Sequence, residues 1–125
     1  MKKIIQTNEA PAAIGPYSQA VEINGTLYIS GQVPVHPETG KVVEGGITEQ
    51  TTQVMKNIGA ILKAAGYAYA DVVKSTCLLS TMDDFKAMNV VYGSYYPENP
   101  PARAAFAVKG LPLGALIEIE TIAVK

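Results

Sequence analysis

Three charged side chains stand in apolar company near the C-terminus: Arg103 within PARAAFAV, and Glu118 and Glu120 within LIEIETIAV. A charge on a strand of Ala, Phe, Val, Ile and Leu needs a partner or a purpose, because burying it alone is costly. Arg103 offers a planar fork of donors suited to a carboxylate or phosphate, and the alternation sets it on a face whose next members are Ala105 and Ala107, a methyl-lined hollow. An ion pair with Glu118 or Glu120 is the structural alternative. If the arginine binds an anion instead, one glutamate can orient or deprotonate a water.

Hydroxyls form a second group. Asn24-Gly25 marks a two-residue hairpin turn between extended runs Tyr17–Ile23 and Thr26–Val33. That turn pairs Ile23 with Thr26, Gln19 with Ser30 and Tyr17 with Gln32. Tyr17 and Ser30 then become diagonal neighbours beside Gly31, where a ligand can approach the backbone. Asn89, on the border of an apolar helical stripe, either bonds a neighbouring loop or points into a pocket. Two reactive residue types read more plainly. His36 lies in a turn-rich loop and is solvated, and Cys77 is a small buried hydrophobe on a strand face with Val73, Ser75 and Leu79. Neither supplies a partner for a Ser-His-Asp or Cys-His set, and no glycine-rich phosphate loop follows a strand.

The elements that carry these residues follow from periodicity. Val54, Met55, Ile58, Ile61, Leu62 and Ala65 recur at helical spacing, predicting a helix from Thr48, as cap, to Ala65, with Gly66 as the stop. DVVKSTCLLS (Asp71–Ser80) has the β-branched, apolar character of a central strand. Thr81 to Asp84 open a second helix with stripe Phe85, Met88, Tyr92 and Tyr95 or Tyr96, ended by Pro97. Two strands follow, Ala102–Lys109 and Leu116–Val124. On the last, Ile117, Ile119, Thr121 and Ala123 form the cleaner apolar face and belong under the helices. Pro34–Gly46 is a loop with room for a short strand at Lys41–Val43. The pattern ββ(β)αβαββ predicts an α+β domain of residues 1–125, a mixed sheet of about six strands with both helices on one face. The opposite face keeps Leu116, Ile122 and Val124 beside the charges, which predicts a closed oligomer whose sheets cover one another, with sites at the seams.

The chain has 125 residues, 48% hydrophobic and 17% charged, with ten basic and eleven acidic side chains and a net charge of −1. That is enough for one core, and the charge gives no footprint for nucleic acid or an anionic membrane. One cysteine and one histidine make neither an internal disulfide nor an ordinary metal site. The start, MKKIIQTNEAP, turns polar too soon for a signal peptide, so the expected location is the cytoplasm.

GPYSQAV (Gly15–Val21), ISGQVP (Ile29–Pro34), PARAAFAV (Pro101–Val108) and LPLGALIEIETIAV (Leu111–Val124) together resemble the reactive intermediate deaminase family, RidA or YjgF type, in order and spacing over essentially the whole chain. The resemblance implies a chorismate-mutase-like fold, a homotrimer with three sites between subunits, and no cofactor or metal. It implies hydrolysis of enamines and imines such as 2-aminoacrylate, 2-iminopropanoate and 2-iminobutanoate, released by pyridoxal-phosphate dehydratases, to 2-oxo acids and ammonia. The family's carboxylate-binding arginine falls on Arg103 and its water-positioning glutamate on Glu118. Tyr17 and Ser30 match its site tyrosine and serine, with Gly31 and Asn89 beside them. Many members carry a cysteine where this chain has Ala105, so the expected contribution there is the backbone N–H and a thiol role is excluded. The rival reading is a ligand-binding or chaperone-like trimer without relevant catalysis.

Overall fold

The computed structural model covers Met1–Lys125. Its single mixed sheet has six strands: β1 (Lys3–Ile5), β2 (Ala20–Ile23), β3 (Thr26–Gln32), β4 (Val72–Leu79), β5 (Ala102–Ala107) and β6 (Ile117–Val124), in the order β1-β2-β3-β6-β4-β5. Helices α1 (Ile47–Ala65) and α2 (Phe85–Ser94) pack on one face. Only β4 and β5 run parallel, joined through α2. The final strand enters the middle of the sheet, antiparallel to both β3 and β4. Its central place explains why Ile117, Ile119, Thr121 and Ala123 are all buried. Under them lies an apolar layer from α1, including Val54, Met55, Ile58, Ile61 and Leu62, each contributing about 1.5–3 kcal/mol by leaving water.

The hairpin forms as its turn dictates. Asn24 and Gly25 both take positive φ, 50° and 77°, and Ile23 pairs with Thr26. Ladder pairing begins at Ala20, however, three residues later than expected. Tyr17 lies outside the strand, and only the Ser30 N–H bond to the Gln19 carbonyl extends the ladder one step. The sixth strand is the N-terminal Lys3–Ile5, not Lys41–Val43, which makes an isolated bridge between Val42 and Val35. Polar groups the pattern does not advertise fix these loops. Buried Gln19 donates to the carbonyls of Thr7, Ala10 and Pro11 and accepts from the Thr7 N–H, clamping the N-terminal segment. Buried Asn57 on α1 donates to the Val33 and Val35 carbonyls, and Gln50 accepts from the Leu116 N–H at the start of β6.

Three local expectations change. Gly46, not Thr48, caps α1, its N–H donating to the Glu49 carboxylate at 2.8 Å, while Gly66 ends the helix in the left-handed conformation as expected. Thr81 does accept from the Asp83 N–H, but a 3₁₀ turn over Met82–Asp84 precedes α2, which ends at Ser94, before Pro97. A register shift between Val72 and Lys74 turns Val73 out to solvent, away from Ser75, Cys77 and Leu79.

Candidate active site

Arg103 lies on the helix side of the sheet. In the parallel β4/β5 pair it stands beside Ser75, and Ala105 beside Cys77, both of which are buried under the helices. Its Nη1 donates to the Asn89 Oδ1 at 2.7 Å, and its guanidinium carbon sits 5.5 Å from the Phe85 ring centre and 5.1 Å from that of Tyr92. Phe85, Asn89 and Tyr92 are spaced i, i+4, i+7 on α2, so one helical stripe receives the whole side chain. The expected placement on the face opposite the helices is therefore wrong for Arg103. On a strand as short and alanine-rich as β5 both alternating sets look alike, and the pairing with β4 decides which faces inward. The alternative pairing with Glu118 or Glu120 is not formed: the arginine's hydrogen bond goes to an amide oxygen.

Glu118 and Glu120 do occupy the open face, Glu118 half-buried and Glu120 exposed. Two residues of β3, Ser30 and Gly31, fall between the pairs Ile29–Thr121 and Gln32–Ile119, where β6 has only Glu120. This bulge brings Gly31 under the Glu118 side chain. A Cβ at Gly31 would lie 2.0 Å from Glu118 Oε2 and 2.9 Å from its carboxyl carbon, so only glycine lets the carboxylate rest there. Burial, and then repulsion from Glu120, raise the Glu118 pKa above the ordinary carboxylate value.

The Ser30 hydroxyl donates to the Ser18 carbonyl at 2.6 Å, which ties the bulge to the segment carrying Tyr17. Tyr17 is half-exposed, its hydroxyl accepting from the Ile14 N–H at 3.3 Å, along a groove of about 490 Å³ formed with the N-terminal segment. A second depression, about 260 Å³, lies on the open face between Tyr28, Lys74, Thr76 and Glu120. Neither gathers the expected residues. Within one chain, Glu118, Gly31 and Ser30 adjoin at the bulge, Arg103 joins Asn89 on the other side of the sheet, and Ala105 lies along β5 from Arg103, half-buried against the core.

The remaining candidates stay structural. Cys77 is fully buried, and desolvation pushes its thiol up to about 11 despite the opposing Arg103 charge. His36 Nδ1 accepts from the Glu38 N–H inside a turn. No three His, Cys, Asp or Glu side chains converge in metal-binding fashion, and no helix is long and apolar enough to cross a membrane. Sequence reasoning missed Phe85 and Tyr92 as neighbours of Arg103. Their spacing with Asn89 was the available signal, but it reads equally well as core.

The chain thus carries an arginine with no acidic partner on one face of the sheet and a carboxyl with a raised pKa on the other. The chain belongs to the family described as Endoribonuclease L-PSP, whose model matches residues 7–125. It is 52% identical to the 2-iminobutanoate/2-iminopropanoate deaminase of Mus musculus over 125 residues, covering 100% of this chain and 93% of the mouse protein. The fold superposes on a crystal structure from Thermotoga maritima with a TM-score of 0.98 at 49% identity, covering 100% of this chain and 98% of that one. It also matches E. coli TdcF crystallised with bound serine, with a TM-score of 0.93 at 37% identity, covering 98% of each chain.

Proposed function

We propose that this protein hydrolyses reactive enamines and imines of the 2-aminoacrylate, 2-iminopropanoate and 2-iminobutanoate type to 2-oxo acids and ammonia. The observation that carries the reading is Arg103, held by an amide and two aromatic rings with no carboxylate to neutralise it. Four of its five N–H donors are left for a ligand carboxylate. The names of relatives about half identical to this chain over its full length support the same chemistry. A relative holding serine supports a ligand with a carboxylate next to a nitrogen-bearing carbon.

In this reading the substrate carboxylate docks on Arg103, assisted by the Ala105 N–H, and its C2 faces a water held by Glu118. An enamine first takes a solvent proton at C3 to give the iminium, and an imine takes one at nitrogen. The water then adds to C2 while Glu118 takes its proton, giving a carbinolamine. The same carboxyl returns the proton to nitrogen; as the C–N bond breaks, the hydroxyl proton passes back to the Glu118 carboxylate and from there to the departing ammonia, and C2 becomes the carbonyl of the 2-oxo acid. Imines hydrolyse readily, so positioning can supply much of the acceleration, up to roughly 7–11 kcal/mol in ideal cases. Ser30 and Gly31 shape the floor under Glu118, Tyr17 flanks it, and no step calls for a cofactor.

Because Arg103 and Glu118 lie on opposite faces, one chain supplies half of each site. The complete site forms where the Arg103 edge of one subunit meets the Glu118 face of the next, in a homotrimer with three equivalent seams. Tyr28, Phe106 and Val124, each exposed on the open face, are the surface such an assembly covers. The reading places the protein in the cytoplasm, where imines are released, with small imino acids and its own copies as partners and neither nucleic acid nor membrane among them. A threonine dehydratase coupled to this protein tests the reading: imine decay and ammonia release should accelerate with the wild type and not with Arg103→Ala. Equal rates for the two would remove the assignment.

A further inference from the structure

The side chains around Arg103 do more than fill space. A guanidinium on a half-buried strand can adopt several rotamers, and each one lost on binding costs affinity. Here the choice is made in advance. Asn89 Oδ1 takes one N–H at 2.7 Å, while two aromatic rings approach the guanidinium carbon at 5.5 and 5.1 Å. Attraction between a cation and a ring face uses none of the donors, so the rings fix the group while leaving its remaining N–H edges free. An acidic clamp would hold it equally well but would compete with the ligand for its charge. Tyr92 is also fixed from behind. It is 5% exposed and packs against Tyr96 with ring centres 4.9 Å apart. The buried Tyr92 hydroxyl makes no hydrogen bond to the protein.

We infer that Phe85 and Tyr92 are positioning residues: their ring faces on α2 preset the Arg103 guanidinium to receive a ligand carboxylate, and in Tyr92 the ring, not the hydroxyl, performs this task. The inference rests on the deaminase reading of Arg103 and adds a role that reading does not contain. A preset cation binds ground state and transition state alike, so losing the clamp should raise KM and leave kcat near its wild-type value.

The test compares Tyr92→Leu, Tyr92→Phe, Phe85→Leu and Arg103→Ala in the dehydratase-coupled assay, with Tm recorded for each. Tyr92→Leu should raise KM about tenfold, between the exposed and fully desolvated values of a cation–ring contact. Phe85→Leu should raise it a few-fold. Tyr92→Phe, which keeps the ring and deletes only the unpartnered hydroxyl, should restore KM to within about twofold of the wild type. KM unchanged in both leucine variants, while Arg103→Ala is inactive, would overturn the clamp and leave the deaminase reading standing. If Tyr92→Leu does not fold, Phe85→Leu at its half-buried position decides the matter alone. Wild-type activity in Arg103→Ala would instead show that the underlying reading had failed, and the clamp with it.

Discussion

The placement of Arg103 and Glu118 on opposite faces leads to a prediction that no single-chain site can satisfy. In the proposed trimeric site Arg103→Ala removes the carboxylate anchor, and loss of a buried charge-assisted contact costs about 2–5 kcal/mol. Glu118→Gln removes the proton carrier, a step worth roughly 10²–10⁴-fold. Each homotrimer should therefore be close to inactive. When the two variants are refolded together at equal concentration, a seam is intact only where Glu118→Gln contributes its arginine and Arg103→Ala contributes its glutamate. With random mixing each choice has a probability of about one half, so about one quarter of all seams, and of wild-type activity, should return. Affinity tags on each variant allow the mixed trimers to be isolated; each holds one intact seam of its three, so imine decay and ammonia release in that fraction should reach about one third of wild type. Mixed trimers as inactive as their parents would place both residues in the same chain's site and refute the seam.

Gly31→Ala should act through Glu118 alone. Restoring ordinary contact from the 2.0 Å a Cβ would have to Oε2 displaces the carboxylate by about 1.4 Å, and activity should fall about 100-fold with little change in Tm, while adding the substitution to Glu118→Gln should cost nothing further. Glu118→Gln should stabilise the protein at neutral pH. Because the folded pKa is raised, ionising Glu118 costs stability as pH climbs through it, a cost the amide escapes, so the two melting curves should converge below the unfolded carboxylate pKa. Gln19→Leu leaves the Thr7, Ala10 and Pro11 carbonyls and the Thr7 N–H without their partner and should cost about 2–4 kcal/mol in denaturant unfolding. Cys77, buried with its pKa pushed up to about 11, should resist iodoacetamide in the native protein and react only after unfolding.

What the sequence disclosed divides along a physical line. Signals carried by a few consecutive residues read correctly: the Asn24-Gly25 turn, the apolar stripe of α1 with Gly66 behind it, and the alternation that buries Ile117, Ile119, Thr121 and Ala123. What depends on distant pairing did not. The three residues of β1 become a strand only because β2 lies beside them, and Val73 turns outward because of a bulge against β6. Arg103 is the instructive case. Its residue type, its alanine neighbours and its need for a partner were all visible, but its side of the sheet was set by Ser75, twenty-eight positions away, across a parallel ladder. Gln19, Gln50 and Asn57 were silent for a related reason: a buried amide reveals itself only once the loop carbonyls it serves have been folded around it.

The topology that hid Arg103 also bears on how the proposed site would act. The chain ends by inserting β6 into the centre of the sheet and leaves β5 at the edge, so the cation lies on the rim and the carboxylate on the broad open face. Meeting at the proposed seam, the two charges would have opposite effects on proton transfer. Arg103 alone would draw the Glu118 pKa down, against the rise that burial and Glu120 impose. In that arrangement a bound carboxylate would offset the arginine's charge and leave the rise from burial and Glu120. Substrate binding would thus bring Glu118 toward the range in which it can take a proton from water and return it to nitrogen. An arginine held by Asn89, Phe85 and Tyr92 keeps its charge for this exchange, which an arginine already paired with a glutamate would have given up.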